Sequence, residues 1–247
     1  MKTIAFYNLK GGVGKTSCAV NTAFYAAASG IPTLLWDLDP QGSASWHFEA
    51  THNKDVKLTK LLKGKMPIGS LITHTAYQNL DIIASDLSFR NLDFKTRQND
   101  ISNLISEWSE LFKEDYALLI LDCAPSLSTI TESIFDASSH IFVPLIPAPL
   151  SIQTYRKILE FFDSKNIKTK KLHPLLSMVD RRKAMHKEFL ANQLGEFDNL
   201  LKGYIPYSSD AEKMSALRRP IETYAPRSAA NLAFRLMWEQ IRKIAGI

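Results

Sequence analysis

Lys10-Gly11-Gly12-Val13-Gly14-Lys15-Thr16 decides the fold. Ahead of it runs Thr3-Ile4-Ala5-Phe6-Tyr7, short, apolar and partly β-branched, which predicts a buried strand. Behind it runs Ser17 to Ser29, rich in alanine, which predicts a helix. Strand, glycine loop, helix is the setting a phosphate-binding loop requires. Glycines let the backbone curl until successive N–H groups point at one anion, and the helix N-terminus adds partial positive charge. In that arrangement Gly11, Gly12, Val13, Gly14 and Ser17 belong to the phosphate cradle. Lys15 reaches the outer phosphates of a nucleotide and the Thr16 hydroxyl holds Mg²⁺. One departure stands out. The common spacing asks for glycine at position 9, where this chain has Leu9, and Lys10 adds a second lysine at the loop's start.

Two carboxylate segments follow. Thr33-Leu34-Leu35-Trp36 predicts a strand and runs into Asp37-Leu38-Asp39-Pro40-Gln41-Gly42-Ser43. Asp37 and Asp39 are two apart on extended chain and face one side, so one or both can approach a Mg²⁺ ion and an attacking water. Tyr116 to Leu121 is a continuous apolar run ending in Asp122, as a parallel strand covered on both faces reads. Asp122 occupies the place of a Walker B aspartate, a Mg²⁺ ligand.

The doubled lysine resembles the deviant Walker A loop of the ParA/MinD family of ATPases, closest to its small Soj-like members. The Asp37–Ser43 run resembles that family's D-x-D-P-Q-G-[NS] segment. Asp122-Cys123-Ala124-Pro125-Ser126 resembles its D-x-P-P-S, with Ala124 in place of the first proline. The resemblance implies ATP and Mg²⁺ as ligands and a homodimer closing over two nucleotides. It implies that Lys10 reaches the partner's nucleotide, that Asp39 positions water, and that Asp37 and Asp122 support the magnesium shell. It places base contacts after two late strands, at Met178 and Asp180 and at Pro206 and Ser208. It implies nonspecific DNA binding, to which Arg218 and Arg219 contribute, and hydrolysis stimulated by a ParB-like or other cargo-adaptor protein.

The fold class expected is α/β, a mostly parallel doubly wound sheet flanked by helices, with residues 1–247 as one domain. Further strands are predicted at Asn79–Ala84, His140–Leu145, Leu172–Val179 and Leu200–Pro206. Helices are predicted at Leu58–Lys63, over Ser88 to Phe112, from a Ser151 cap through Phe162, and over Ser228 to Ala245. In the last, Leu232, Leu236, Met237, Ile241 and Ile244 are expected to face the core. MinD-like relatives end in a membrane-targeting helix, but only Arg235, Arg242 and Lys243 are basic here and Glu239 interrupts them, so core packing is expected instead.

The formal net charge of +5 suits a polyanion partner, and 45% hydrophobic residues suffice for a full core. Two cysteines, Cys18 and Cys123, make no disulfide framework, which predicts a reducing cytoplasm and, with DNA binding, association with the nucleoid. Cys123 is expected to be a buried thiol, not a cluster ligand. His52 and His74 are isolated and read as surface histidines. No signal segment is read ahead of the loop, nor a helix-turn-helix for operator recognition. A MinD-like membrane ATPase and a metabolic P-loop enzyme are the alternative readings.

Overall fold

The computed structural model describes residues 1–51, 61, 65–85 and 103–247. Its strands are β1 Lys2–Phe6, β2 Thr33–Asp37, β3 Ile72–His74, β4 Leu80–Ile83, β5 Leu118–Asp122, β6 His140–Leu145, β7 Leu172–Val179 and β8 Tyr204–Pro206. They form one sheet in the spatial order β3-β4-β2-β5-β1-β6-β7-β8. Every pairing is parallel except β3 with β4. The helices are α1 Lys15–Ala28, α2 Ser43–His47, α3 Leu104–Glu110, α4 Thr129–Ala137, α5 Pro149–Ser164, α6 Ala184–Asn192, α7 Ser209–Leu217 and α8 Ala229–Ala245.

Alternation along the central strands feeds two cores. Ile4 and Phe6 of β1 join Leu118 and Ile120 of β5 in a layer with Ala19 and Ala23 of α1 and Phe234 and Trp238 of α8. Ala5 and Tyr7, with Leu119 and Leu121, face the opposite layer, built from Trp108, Phe135, Tyr155 and Phe162. A sheet buried on both faces needs such uninterrupted apolar strands. The small side chains of α1 let α8 approach closely. At the contact the Tyr25 hydroxyl lies 2.5 Å from Asn231 Oδ1 and 2.8 Å from Glu222 Oε2, and Arg235 holds Glu222 from outside.

Several boundaries differ from the sequence reading. The strand expected over Leu200–Pro206 narrows to Tyr204–Pro206, because Gly203 adopts φ +82° and breaks the extension. The strand expected over Asn79–Ala84 begins at Leu80, since Asn79 is left-handed at φ +62°. β3 had no forecast; three residues are too few for a periodic signal. Ser151 is not the cap of α5: the helix starts at Pro149, whose fixed φ suits a first turn, and Ser151 Oγ donates to Ile146 O at 2.6 Å. The helix expected at Leu58–Lys63, His52, and the first part of the Ser88–Phe112 helix lie outside the described residues. His74 is exposed, its ring nitrogen 2.8 Å from Asp81.

In α8 the core positions shift. Met237 and Ile241 are buried as expected, but Leu232 and Leu236 are 48% and 65% exposed, and Phe234 and Trp238 take the core face. Among the described residues, no helix is long and apolar enough to cross a membrane.

Candidate functional site

β1 delivers the chain to the loop at the carboxyl end of the sheet. Asn8 pins the loop's start: its Nδ2 donates to Pro144 O at 2.7 Å, and its Oδ1 accepts from Lys10 N at 2.9 Å. Gly12 and Gly14 turn the chain with φ of +70° and +91°, a region that other residues enter at a cost. Gly14 is also the N-cap of α1 and has no side chain to cap it, so the first-turn N–H groups point into the curl of the loop. A Cβ on Gly14 would stand 2.7 Å from Ser177 Oγ, so β7 closes tightly against the loop.

Lys15 is buried and its Nζ donates back to Lys10 O at 3.1 Å. Burial lowers its pKa, and nearby Asp122 is the chief opposing influence. Asp37 and Asp122 end the neighbouring strands β2 and β5 as register partners, both 0% exposed. Asp37 is well supplied with donors: Ser45 N at 2.8 Å, Ser45 Oγ at 2.7 Å and Asp39 N at 3.2 Å. Burial still pushes its pKa up to about 6, with the Ser45 hydrogen bonds pulling the other way. Asp122 is pushed up further by burial and then by Asp37, while Thr16 and Lys15 act against the rise. Thr16 is near enough for that influence, yet neither Asp122 oxygen makes a hydrogen bond of ordinary geometry among the described residues. A buried carboxylate without donors calls for a cation or a proton.

Above these acids opens a cleft of about 370 Å³. Gly11, Gly12, Gly14, Lys15, Thr16 and Ser17 form its floor, and Asp39 stands on one wall. Met178, Pro206 and Ser208 line its far side, so residues from four separate segments meet in one cavity. Met178 adopts φ +54° where β7 loses register with β8, which turns the chain outward at the cleft.

Other expected residues stand elsewhere. Val13 is buried behind the loop. Asp37 and Asp122 lie at the strand ends, off the cleft wall. Asp180 is off the wall as well, because Arg182 engages its carboxylate through Nε and Nη2, both at 2.9 Å. Lys10 is half-exposed, and among the described residues its side chain makes no ion pair. Arg218 and Arg219 follow α7 outside the cleft, over the rings of Trp46 and Tyr224.

The sequence reading missed Asn8, Ser45, Ser177 and His47. Asn8 sits at a strand exit, where an Asx side chain commonly bonds the backbone two residues on. His47 lines the cleft, and its Nδ1 lies 2.7 Å from Ser43 O, which requires the proton on that nitrogen. Burial lowers its pKa, with the bond to Ser43 pulling the other way. No spacing rule connects Ser45 to Asp37 or Ser177 to Gly14.

Residues 1–176 match a family model described as an AAA domain. The chain is 32% identical over 194 residues to the virulence plasmid ParA family protein pGP5-D of Chlamydia psittaci, covering 77% of this chain and 74% of that protein. Among solved structures it resembles a plasmid partition protein of Borrelia burgdorferi bound to AMPPNP, with TM-score 0.85, 20% identity and 98% of both chains covered. It also resembles the septum site-determining protein MinD of Pyrococcus horikoshii complexed with Mg-ADP, with TM-score 0.79, 18% identity and 99% and 97% of the two chains covered. At such identities the structural likeness speaks for the fold.

Proposed function

Since this chain belongs to the ParA/MinD family of P-loop ATPases, we propose that it is a Soj-like partition or positioning ATPase that closes into a homodimer on Mg²⁺-ATP and then holds DNA without sequence preference. One observation carries the reading. A single cleft is lined by the glycine loop, Asp39 and the Met178 and Pro206–Ser208 segments, which supports a reading with phosphates at one end and the base at the other.

The parts divide as follows. Loop N–H groups and the start of α1 receive the phosphates, and Lys15 sets its charge against them from a dry position. The Mg²⁺ ion fits the donor set: Thr16 offers a hydroxyl, and Asp122 is a buried anion lacking donors, with Asp37 beside it. When bound, that ion supplies positive charge to the phosphoryl oxygens. Asp39 Oδ1 accepts from Gln41 N at 2.9 Å, which fixes the carboxylate and leaves Oδ2 to orient a water. Lys10, half-exposed, serves the partner's nucleotide. Met178, Pro206 and Ser208 contact the base, and Asp180 supports that loop through Arg182.

Binding to DNA is phosphate-directed, drawing on the net charge of +5 and on Arg218 and Arg219. Phe234, Met237, Trp238 and Ile241 of α8 pack in the core and leave Leu232 and Leu236 as its exposed leucines, too small an apolar surface for a lipid anchor, which favours DNA. A ParB-like or other adaptor protein stimulates hydrolysis, and the chain works on the nucleoid in the cytoplasm. Light scattering and DNA co-sedimentation with AMPPNP, ADP or no nucleotide test the reading. A DNA-bound dimer is expected with AMPPNP alone. A monomer that ignores DNA in all three conditions refutes it.

A further inference from the structure

Two consecutive residues of α2 have opposite destinations. His47 is buried and lines the cleft, while Trp46 is 51% exposed and turns to α7. Trp46 Nε1 donates to Ser215 O at 2.8 Å, and Arg218 Nε donates to Trp46 O at 3.3 Å. The Arg218 guanidinium carbon lies 4.0 Å from the centre of a Trp46 ring, and Glu49 Oε1 is 3.6 Å from Arg218 Nη1. Arg218 and Glu49 both hold left-handed backbone, at φ +52° and +53°, just beyond the ends of α7 and α2. Each residue is thereby turned out of its helix toward the other.

The same two helices wall the cleft, α2 through Ser43 and His47, α7 through Ala211, Glu212 and Ser215. Ser215 belongs to both sets: it lines the cleft and its carbonyl holds the indole. Whatever changes the spacing of α2 and α7 from inside must act on the indole–guanidinium contact outside.

We propose that the Trp46–Arg218 stack couples the contents of the cleft to the availability of the Arg218 cation for a phosphate backbone. The coupling rests on this geometry; the choice of DNA as polyanion rests on the function proposed above. A guanidinium pressed on an indole face and bonded through Nε retains only part of its donor fork for phosphate. An exposed cation–aromatic contact is weak enough for ligand binding to rearrange. By linkage, a polyanion that captures Arg218 changes nucleotide affinity by the factor with which nucleotide changes polyanion affinity.

The protein carries its own reporter. Trp36, Trp108 and Trp238 are 0%, 8% and 1% exposed, so acrylamide quenching of the full chain reads Trp46. AMPPNP with Mg²⁺, its binding followed by calorimetry, is expected to change the quenching constant by about two-fold, and Arg218→Ala to flatten that response. Trp46→Phe should erase the signal. On a random DNA duplex, the ratio of affinities with and without AMPPNP is expected to fall about three-fold or more in Trp46→Ala, and to persist in Trp46→Phe, which keeps a ring face.

Nucleotide binding with unchanged quenching, or an unchanged ratio in Trp46→Ala, makes the contact a static strut and overturns the proposal. Absence of AMPPNP binding by calorimetry overturns it together with the ATPase reading. A quenching response with no DNA binding in any nucleotide state overturns it together with the DNA reading.

Discussion

Asp37 and Asp122 are register partners on adjacent parallel strands, both fully buried, and donors surround only the first. Burial raises the pKa of both carboxyl groups, Asp37 adds to the rise at Asp122, and the one without donors is the more strongly affected. Replacing it should therefore relieve the resting protein. Asp122→Asn is expected to raise the melting temperature at pH 7.5 without Mg²⁺ by about 2–6 °C, on the order of 1–2 kcal/mol. The same variant should lose Mg²⁺-dependent ATP turnover by about a hundred-fold or more. Scanning calorimetry and a phosphate-release assay read the two effects, and a lowered melting temperature would contradict the assignment of an uncompensated charge.

The pH profile has a defined sign. Asp37 has its pKa near 6 in the folded chain and 3.8 ordinarily, so between those values the folded state holds a proton the unfolded state has lost. Its contribution to stability is present below the lower value and is lost as pH rises through 6. His173, pushed down to about 4 by burial and then by His140, acts oppositely between 4 and 6.5. The two partly cancel in the wild type, so the informative quantity is a difference. Ser45→Ala removes an Oγ donor that lowers the Asp37 pKa, and should steepen the fall in stability across pH 4–7. Urea melts of both proteins at several pH values read it; parallel profiles would remove Asp37 from the account.

Gly14 and Gly30 separate two costs of adding a methyl group. Both have positive φ, +91° and +81°, but a Cβ meets Ser177 Oγ at 2.7 Å at the first and nothing within 4 Å at the second. Gly30→Ala should cost about 1 kcal/mol from backbone strain alone. Gly14→Ala should cost about 1–3 kcal/mol more and abolish ATP binding, and adding Ser177→Ala should recover only the steric share. Equal costs at the two glycines, measured by urea denaturation, would mean that β7 yields easily.

Lys10→Ala tests the role assigned to the second lysine. Its side chain makes no ion pair among the described residues, so stability should stay within about 0.5 kcal/mol. Binding of AMPPNP to one chain should change by less than about three-fold, while dimer formation and turnover fall by about ten-fold or more. Light scattering with AMPPNP decides; a dimer of unchanged affinity refutes a role across the interface.

The faces of α8 make a paired comparison. Phe234→Ala and Trp238→Ala, at positions 1% exposed, should each cost about 3–5 kcal/mol. Leu236→Ala, at a position 65% exposed, should cost less than about 0.5 kcal/mol. Urea melts compare them, and a large loss at Leu236 would assign it a partner in solution.

Much of this was readable in the chain beforehand, for identifiable reasons. The loop and the acids Asp37, Asp39 and Asp122 were legible because glycine turns and apolar strands leave strong short-range marks. The leucines of α8 were misjudged because Leu232 and Leu236 share a helical period with Phe234 and Trp238, and periodicity does not say which stripe faces inward. Packing volume decided for the aromatics. Asp180 follows β7 as expected, yet Arg182, two residues on, occupies its carboxylate. That choice depends on a side-chain rotamer that sequence spacing does not encode.

The contact between α1 and α8 bears on how the protein is born. The helix that follows the glycine loop buries its outer face on residues translated about two hundred positions later. The nascent chain must carry that exposed alanine surface until those residues emerge. Competence to bind nucleotide should therefore arrive late and abruptly, once α8 has cleared the exit tunnel.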